Sequence, residues 1–464
     1  MKSKKTFKHE ITLINKHPAK LIRRIALFLY KNSYRPNEKI ALLASHVIVI
    51  FLVQRAYLTP TYTGLNAYIW LVADSGWGKE TLMKAFDTVF GALGEEASHL
   101  LDFHVGKPAS GQAIDTLACE HQRLLVEVQE AAAWWKDLVS ENRPPHIDAL
   151  YNNMLRLFMA TDEGRYWKKR QKATKEEHAE ENPFRVAMSF YGESTASNLF
   201  AGLSSDDAAS GLVQRQLFFI VDKGKYVPPN HYREKMSKEL KEDLLDLVYI
   251  CDELDIEDKT IRVDITDAAE QLLSDYEEKH SKYMFDEKRD RLKAELFNRS
   301  ALKAYRMASM YAVCDDLENP IITEVHAKCA IKFVSSCDSK LYKKMTSGEV
   351  AKGQLRQESD FINYLKRHSK MSVKERARSW KLKTATQRAN AELVLKDRTV
   401  VPKTKISDYC KRLSAFRNDH RGPVTAHSTI VAHLCKEGKI REIQAEEAAK
   451  EYGYPFPLIQ FQDH

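Results

Sequence analysis

The sequence lacks any CxxC pair, and its seven cysteines are scattered singly along 464 residues. This pattern excludes a zinc finger or a disulfide framework as the basis of the fold. We therefore expect reduced thiols and a cytoplasmic location. Glycine (17 residues) and proline (14 residues) are also scarce, whereas hydrophobic residues make up 44% of the chain. Such a composition excludes collagen-like and disordered classes and is typical of a globular protein.

Long apolar runs are missing as well. The most apolar stretch, Ile40–Val53, includes His46 and is too short to cross a bilayer, so we expect a buried helix there. The basic residues 1–8 are not followed by an apolar segment, and we expect no secretory signal. Both absences predict a protein without a membrane partner.

Positive charge is concentrated near the C-terminus. The whole chain has a formal charge of +8, and residues 346–464 contain 23 Lys and Arg against 14 Asp and Glu. The rest of the chain is therefore close to neutral. A compact basic module beside a neutral body is typical of proteins that bind a phosphate backbone. A solvated basic surface without a partner is the alternative interpretation.

Four apolar runs of strand length alternate with helical patterns: Ala67–Ala73, Leu124–Val128, Arg185–Tyr191 and Leu217–Val221. This alternation predicts an α/β fold in which helices cover both faces of a parallel sheet. Ligands bind at the carboxyl ends of parallel strands, so we expect the functional residues there.

The length exceeds what one hydrophobic core organises, so several domains are expected. The predicted segments are N-terminal helices (1–60), a sheet-containing core (61–264), a helical lid (265–345) and a basic C-terminal module (346–464). In the last segment, predicted helices over Ile406–Phe416 and Thr425–Glu437 precede a short strand, Lys439–Ile443. That succession is similar to a winged helix.

A glycine-rich turn lies between the first predicted strand and a helix predicted over Lys79–Leu93. The residues concerned are Gly76, Trp77, Gly78, Lys79, Glu80 and Thr81. In a phosphate-binding loop, backbone N–H groups surround the phosphates, a lysine reaches the β/γ oxygens and the next hydroxyl helps to hold Mg²⁺. Ala73 replaces the first glycine of that pattern, and Glu80 replaces the hydroxyl residue. We predict an ATP site with Thr81 as a metal ligand, unless Glu80 approaches Mg²⁺ through water. A tight turn with a surface lysine is the alternative.

The second predicted strand ends in Gln129 and Glu130. Hydrolysis of a nucleoside triphosphate needs an acid near Mg²⁺ and a group that orients the attacking water. Glu130 is the candidate for both tasks, because Gln129 supplies no charge. Glu127 lies on the same strand face as Gln129, so either glutamate could point into the site.

Three further residues follow in the order expected of a nucleotide hydrolase. Thr195 closes the third strand and would place a hydroxyl near the γ-phosphate. Arg215 precedes the fourth strand and could reach a neighbouring subunit's ATP, where its charge would stabilise the transition state. Arg299, which lies seven residues before Arg306 on one predicted helical face, could contact nucleotide from the lid. For each arginine alone, a surface salt bridge is the competing interpretation.

Two basic patches are candidate DNA contacts. In the first, cations lie beside aromatic residues, as in proteins that bind single strands; its residues are Lys168, Lys169, Arg170 and Lys172. The second surrounds the predicted helical turn and wing of the C-terminal module; its residues are Lys411, Arg412, Arg417 and Lys439. A solvated loop and a protein-binding module are the respective alternatives.

Together, the motifs resemble the prophage and mobile-element P-loop ATPases, a primase-associated and helicase-like family. The resemblance covers about residues 60–340 and depends on Gly78–Glu80, Ser110–Ala113, Gly192–Thr195, Gly211–Arg215 and Arg306–Ala312. It implies an AAA+-like core related to viral hexameric helicases, with ATP and Mg²⁺ as cofactors. It further implies that Lys79 binds phosphate, Glu130 activates water, Thr195 senses the nucleotide and Arg215 acts in trans.

We therefore expect an ATP-dependent DNA helicase or origin-remodelling ATPase that acts as a homo-oligomeric ring, such as a hexamer. Its partners would be single-stranded DNA or an origin duplex, together with a separate protein such as a primase. The residues at positions 80 and 129 favour a different class, an ATP-binding initiator or phage-defence factor that hydrolyses weakly or not at all.

Overall fold

A computed structural model describes residues 11–140, 143–167, 184–200, 203, 210–222, 227–346, 354–382, 384–417, 419 and 422–462. The chain divides into two compact units, Met1–Tyr342 and Lys343–His464. In the described residues up to 346, the helices are α1 (Thr12–Asn15), α2 (Lys20–Asn32), α3 (Glu38–Val53), α4 (Glu80–Met83), α5 (Ala85–Leu93), α6 (Gly111–Glu120), α7 (Ala132–Val139), α8 (Pro145–Leu157), α9 (Ala196–Phe200), α10 (Gly211–Gln214), α11 (Lys238–Ile256), α12 (Asp267–Met284), α13 (Arg291–Phe297), α14 (Ser300–Val313) and α15 (Glu324–Thr346), with a 3-10 helix over Glu95–Phe103.

The first unit is built on a five-stranded parallel sheet. Its strands in chain order are β2 (Tyr68–Ala73), β3 (His104–Val105), β4 (Arg123–Val128), β5 (Ala187–Ser194) and β6 (Gln216–Val221), and their spatial order is β3-β4-β5-β2-β6. Two small parallel pairs join β1 (Tyr57–Leu58) to β7 (Ile261–Arg262) and β8 (Asp264–Ile265) to β9 (Ile321–Ile322). The predicted α/β class with a parallel sheet is confirmed.

The four predicted strands are β2, β4, β5 and β6. β5 extends three residues beyond the predicted end at Tyr191, because Gly192, Glu193 and Ser194 continue the pairing with β2. This extension brings polar residues into the carboxyl edge of the sheet. The two-residue strand β3 was not predicted, since so short a strand shows no periodicity.

One hydrophobic core connects the three segments predicted for residues 1–345. It includes nearly every residue of α3, the inward face of the sheet and most of α14. α3 begins after Asn37, whose Oδ1 accepts hydrogen bonds from the N–H groups of Lys39 and Ile40. The N-terminal and lid segments therefore pack as layers of one unit. Among the described helices, none combines the length and apolarity that a bilayer crossing requires.

Two of the buried histidines of the first unit, His17 and His46, lie beside one another. His46 Nδ1 lies 2.5 Å from the Leu42 carbonyl oxygen, and its Nε2 lies 2.9 Å from the Tyr311 hydroxyl. Burial lowers the pKa of His46 to about 4, and burial together with His46 lowers the pKa of His17 to about 3. The folded protein thus holds both rings in the neutral form.

We expect the first unit to lose stability as the pH falls from 7 to 5. Both folded-state pKa values lie below the unfolded value of about 6.5. As the pH falls below about 6.5, the two histidines therefore take up protons in the unfolded chain before they do so in the folded protein, and this lowers the free energy of unfolding. Each histidine would contribute a loss of about 2 kcal/mol at pH 5. Urea unfolding followed by tryptophan fluorescence at the two pH values measures this. His46→Leu should show a smaller pH dependence than wild type, and an equal dependence would contradict the explanation.

The second unit contains a small antiparallel sheet. Its strands are β10 (Val400–Pro402), β11 (Ile440–Ile443) and β12 (Leu458–Phe461), and β12 lies between the other two. Its helices are α16 (Gln354–Ser369), α17 (Val373–Ser379), α18 (Ala385–Ala389), α19 (Glu392–Lys396), α20 (Lys403–Cys410), α21 (Ser414–Arg417), α22 (Pro423–Lys436) and α23 (Ala445–Tyr452). The predicted helix over Ile406–Phe416 is two helices here, α20 and α21.

Candidate functional site

The turn after β2 adopts a backbone conformation that requires glycine at two positions. Gly76 and Gly78 have φ angles of +84° and +87°, a region in which residues with a Cβ are strained. No described residue accepts a hydrogen bond from the backbone N–H of Gly76, Gly78, Lys79 or Glu80. Four unpaired N–H groups in one turn, with a lysine among them, could hold a chain of phosphates.

The predicted helix over Lys79–Leu93 is interrupted. α4 has four residues, Lys84 leaves helical geometry, and α5 begins at Ala85. An anion at this turn would therefore interact with the local N–H groups and with the charge of Lys79. The dipole of a long helix would not contribute. Trp77 is partly buried against the core, and Glu80 starts α4.

The loop between α2 and α3 lies directly against the glycine turn. Arg35 donates a hydrogen bond from Nη1 to the Gly76 carbonyl oxygen at 2.9 Å, and Asn37 donates from Nδ2 to the Trp77 carbonyl oxygen at 3.3 Å. A Cβ on Gly78 would lie 2.2 Å from the Arg35 carbonyl oxygen. The close approach of this loop is a second reason why position 78 requires glycine.

The predicted metal ligand Thr81 is turned towards the same loop. Its hydroxyl donates to Ser33 Oγ at 2.8 Å, and the residue is buried. This hydrogen bond uses the hydroxyl proton and ties α4 to the loop between α2 and α3. The role of Thr81 as a metal ligand stays a prediction.

Lys79 and Glu130 meet across the carboxyl edge of the sheet. Lys79 Nζ lies 3.7 Å from Glu130 Oε1, with the lysine side chain 11% and the glutamate side chain 67% exposed. Glu130 has a φ of +45°, which is rare for a residue with a side chain. Backbone strain of this kind occurs at functional sites and costs about 1–3 kcal/mol. The pair leaves a carboxylate open to solvent beside a sheltered ammonium group.

Glu127 contacts different residues from those around Glu130. Its Oε2 lies 2.7 Å from His104 Nε2, and its Oε1 accepts a hydrogen bond from the Gln129 side-chain amide nitrogen Nε2 at 3.2 Å. His104 in turn stacks on Phe86 of α5. Of the two glutamates that the sequence left open, Glu130 is the one that lies beside Lys79.

A third carboxylate, Glu193, was not predicted. It lies on β5 between the strands that lead to Lys79 and Glu130, and its backbone oxygen accepts a hydrogen bond from the Ala131 N–H at 2.9 Å. Burial raises the pKa of Glu193; Lys79 opposes this rise, and Glu130 and Glu127 add to it. The available signal was the group of polar residues that closes an apolar run, and the predicted end of that run, Tyr191, lies three residues before the end of β5.

Thr195 follows β5 directly and has a local role. Its hydroxyl accepts a hydrogen bond from the Asn198 N–H at 3.4 Å and lies 3.2 Å from Ser197 Oγ, so it caps α9. Its position at the carboxyl edge agrees with the expected location, since Ser194 immediately before it pairs with Val72 of β2.

Arg215 lies at the opposite, amino edge of the sheet. It directly precedes β6, whose first residue pairs with Tyr68, the first residue of β2. Its Nη1 donates to the Gly211 carbonyl oxygen at 2.5 Å, and burial together with the Arg299 charge lowers its pKa to about 10. A strand of six residues spans about 20 Å, so Arg215 does not meet Lys79 of the same chain.

Arg299 lies at this amino edge too. The side chain of the preceding residue, Asn298, donates a hydrogen bond to Gln214 Oε1 at 3.3 Å. The negative charge that acts on Arg299 is that of Asp162. Arg306 is fully buried and donates to the carbonyl oxygens of Asn66 and Phe158. The expectation that Arg299 contacts nucleotide from a lid is not met within one chain, because α13 and α14 pack at the end of the sheet away from the glycine turn.

The predicted DNA contacts fall in two places. Lys168, Lys169, Arg170 and Lys172 lie outside the described residues. The residues that flank them, Trp167 and Phe184, exchange two backbone hydrogen bonds as an antiparallel bridge. In the second unit, the side chains of Lys411, Arg412 and Arg417 are exposed between α20 and α22. Lys439 is exposed next to β11, and its Nζ lies 2.5 Å from Glu437.

Comparison with models of known families gave no match for this chain, and no curated protein matches its sequence significantly. The assignment of a function therefore depends on the geometry of the two units.

Proposed function

We propose that the first unit binds ATP with Mg²⁺ at the glycine turn and hydrolyses it. The observation that carries this proposal is the pair Lys79–Glu130, 3.7 Å apart at the carboxyl edge of a parallel sheet. Ligands of such sheets bind at that edge. The N–H groups of Gly76, Gly78, Lys79 and Glu80, which donate to no described residue, add donors for phosphate oxygens.

Each group would have a separate task. Lys79 would hold the β/γ-phosphate oxygens, and the N–H groups of the turn would fix the rest of the phosphate chain. Glu130 would orient the attacking water and accept its proton, a task for which its exposed carboxylate is available. Bound Mg²⁺ would neutralise developing phosphate charge.

The strand order supports an AAA+-like core. In such a core one strand separates the strand that leads to the phosphate-binding turn from the strand that leads to the catalytic acid. Here β5 lies between β2 and β4, and β6 flanks β2 on its other side. β5 also provides Thr195, the proposed nucleotide sensor, next to both.

Arg215 has no access to the phosphate turn of its own chain, which supports a role in trans. In a ring of subunits, such as a hexamer, Arg215 and Arg299 would face the nucleotide of an adjoining subunit. The partly buried Arg215 guanidinium donates to the Gly211 carbonyl oxygen and lies over the Phe158 ring, neither of which carries a charge. Transition-state charge on the adjoining nucleotide would provide one.

DNA is the proposed partner of the assembly. The second unit has α20, a turn with exposed Lys411 and Arg412, α22, and a sheet in which β12 lies between β10 and β11. This arrangement supports the interpretation as a winged-helix-like module. Arg417 and Lys439 would add contacts to phosphates. We infer a DNA helicase or origin-remodelling ATPase of a mobile element, which would rely on a separate primase.

One alternative has specific support. Gln129 and Glu80 occupy positions where an acid and a hydroxyl assist Mg²⁺, and Glu127 is engaged by His104. These features favour a DNA-binding initiator or defence factor that binds ATP in order to assemble and hydrolyses it weakly or not at all.

Phosphate release by the wild-type protein separates the two functions. We expect release from ATP that single-stranded DNA accelerates, together with larger assemblies by mass photometry when both ligands are present. ATP binding without DNA-stimulated release would support the alternative. A monomer under every condition would remove the proposal that Arg215 acts in trans.

A further inference from the structure

Glu193 is a buried carboxylate at the centre of the proposed site. The residue is 3% exposed, and its side-chain hydrogen bond within the described chain comes from the Tyr191 hydroxyl at the long distance of 3.5 Å. It lies on β5, between the strands that lead to Lys79 and to Glu130. Its backbone is fixed there by the Ala131 N–H and by the pairing of Leu71 with Glu193.

A buried carboxylate is costly unless hydrogen bonds or a cation satisfy it. Glu127, one strand away, meets this condition through His104 and Gln129, which occupy both of its oxygens. Among the described residues, no side chain other than Tyr191 forms a hydrogen bond with the Glu193 carboxylate. The charge of Lys79 acts on Glu193, and the same lysine lies 3.7 Å from Glu130. Two carboxylates of the site therefore share this ammonium group.

The position of Glu193 relative to Gln129 is informative. β4 and β5 are paired with Glu127 opposite Tyr191 and Val128 opposite Gly192. Continuing this register brings Gln129 beside Glu193, with both side chains on the sheet face that carries Glu127 and Tyr191. Position 129 is where an acid near Mg²⁺ was expected, and the neighbouring strand offers an acid at the same level of the sheet.

We propose that Glu193 takes the place of the acid missing at position 129 and binds the divalent cation that accompanies the nucleotide, directly or through one water molecule. The inference rests on the proposed nucleotide site. Carboxylate oxygens are the protein ligands that Mg²⁺ prefers, and a site with few protein carboxylates plus phosphates suits this ion. With Glu193 present, Gln129 does not by itself make the site unable to hold the ion.

The test uses the full chain, the non-hydrolysable analogue AMP-PNP, and Mn²⁺ in place of Mg²⁺. Electron paramagnetic resonance of free Mn²⁺ measures how much of the ion binds together with the nucleotide. We expect Glu193→Gln to weaken Mn²⁺ binding by about tenfold or more, while nucleotide binding in EDTA stays unchanged. Glu127→Gln is the matched control, because a glutamine can still accept a hydrogen bond from His104, and should bind Mn²⁺ like wild type.

A rescue experiment separates loss of a ligand from damage to the fold. Gln129→Asp introduced into Glu193→Gln is expected to restore most of the Mn²⁺ affinity. If Glu193→Gln does not fold, Glu193→Asp, which retracts the carboxylate by one methylene group, should still weaken Mn²⁺ binding. Equal Mn²⁺ affinities of wild type and the Glu193 variants would overturn this inference alone. A wild-type protein that binds no AMP-PNP would instead overturn the proposed function.

Discussion

Lys79→Ala is expected to lower the affinity for ATP at least about tenfold and phosphate release at least about a hundredfold, whereas Glu130→Gln should abolish release and leave binding largely intact. The difference follows from their environments. Lys79 is the sheltered cation of the glycine turn, and in the proposed mechanism its loss would remove attraction for both bound ATP and the transition state. The exposed Glu130 carboxylate would activate water and would contribute little to ATP affinity.

Isothermal titration calorimetry with ATP and a phosphate-release assay with single-stranded DNA measure the two effects separately. Lys84→Ala is a suitable control, because this exposed lysine lies only five residues further along, between α4 and α5. It should match wild type in both measurements. If wild type releases phosphate no faster than both site variants, the enzyme hypothesis fails.

Gly78→Ala should both destabilise the first unit and abolish nucleotide binding. The added Cβ would lie 2.2 Å from the Arg35 carbonyl oxygen, and a φ of +87° is unfavourable for alanine. Backbone strain of this kind costs about 1–3 kcal/mol. Because the obstacle is backbone, either the glycine turn or the loop between α2 and α3 has to move. Thermal unfolding and calorimetry with ATP report the two consequences.

Gly91→Ala provides the matched control for the glycine variant. Gly91 lies inside α5, and an added Cβ there meets no atom within 4 Å. Alanine is favoured over glycine in a helix by up to about 1 kcal/mol, so this variant should be slightly more stable than wild type and bind ATP equally well. A Gly78→Ala protein that is as stable as Gly91→Ala would contradict the packing explanation.

The sheet was predictable because its strands are continuous apolar runs bounded by turns. β2, β4 and β6 match their predicted ends closely, since burial on both faces leaves an unmistakable hydrophobic segment. The sequence could not show that the helices of 1–60 and 265–345 share one core with the sheet. Hydrophobic periodicity shows that a helix face is buried, but it does not identify the partner that buries it.

The candidate site was predicted in part. The glycine turn, Lys79 and Glu130 come from contiguous motifs, and the structure brings the last two together. Glu193 was not predicted, because it becomes a candidate only through the position of β5 between β4 and β2. The sequence does not show which strands are neighbours in the sheet. The position of Arg299 at the amino edge of the sheet could not be predicted, because a helical pattern gives no information about the edge of the sheet against which the helix packs.

The contacts of Ser33, Arg35 and Asn37 with the glycine turn have a practical consequence for dissecting this protein. A shortened version beginning near residue 61 would retain every motif of the proposed nucleotide site but would lack the loop against which the glycine turn packs. If such a fragment were inactive, the loss of these supporting contacts would explain it. The result would not show that the removed helices take part in chemistry. The natural place to divide the polypeptide is near residue 343, where one compact unit gives way to the next.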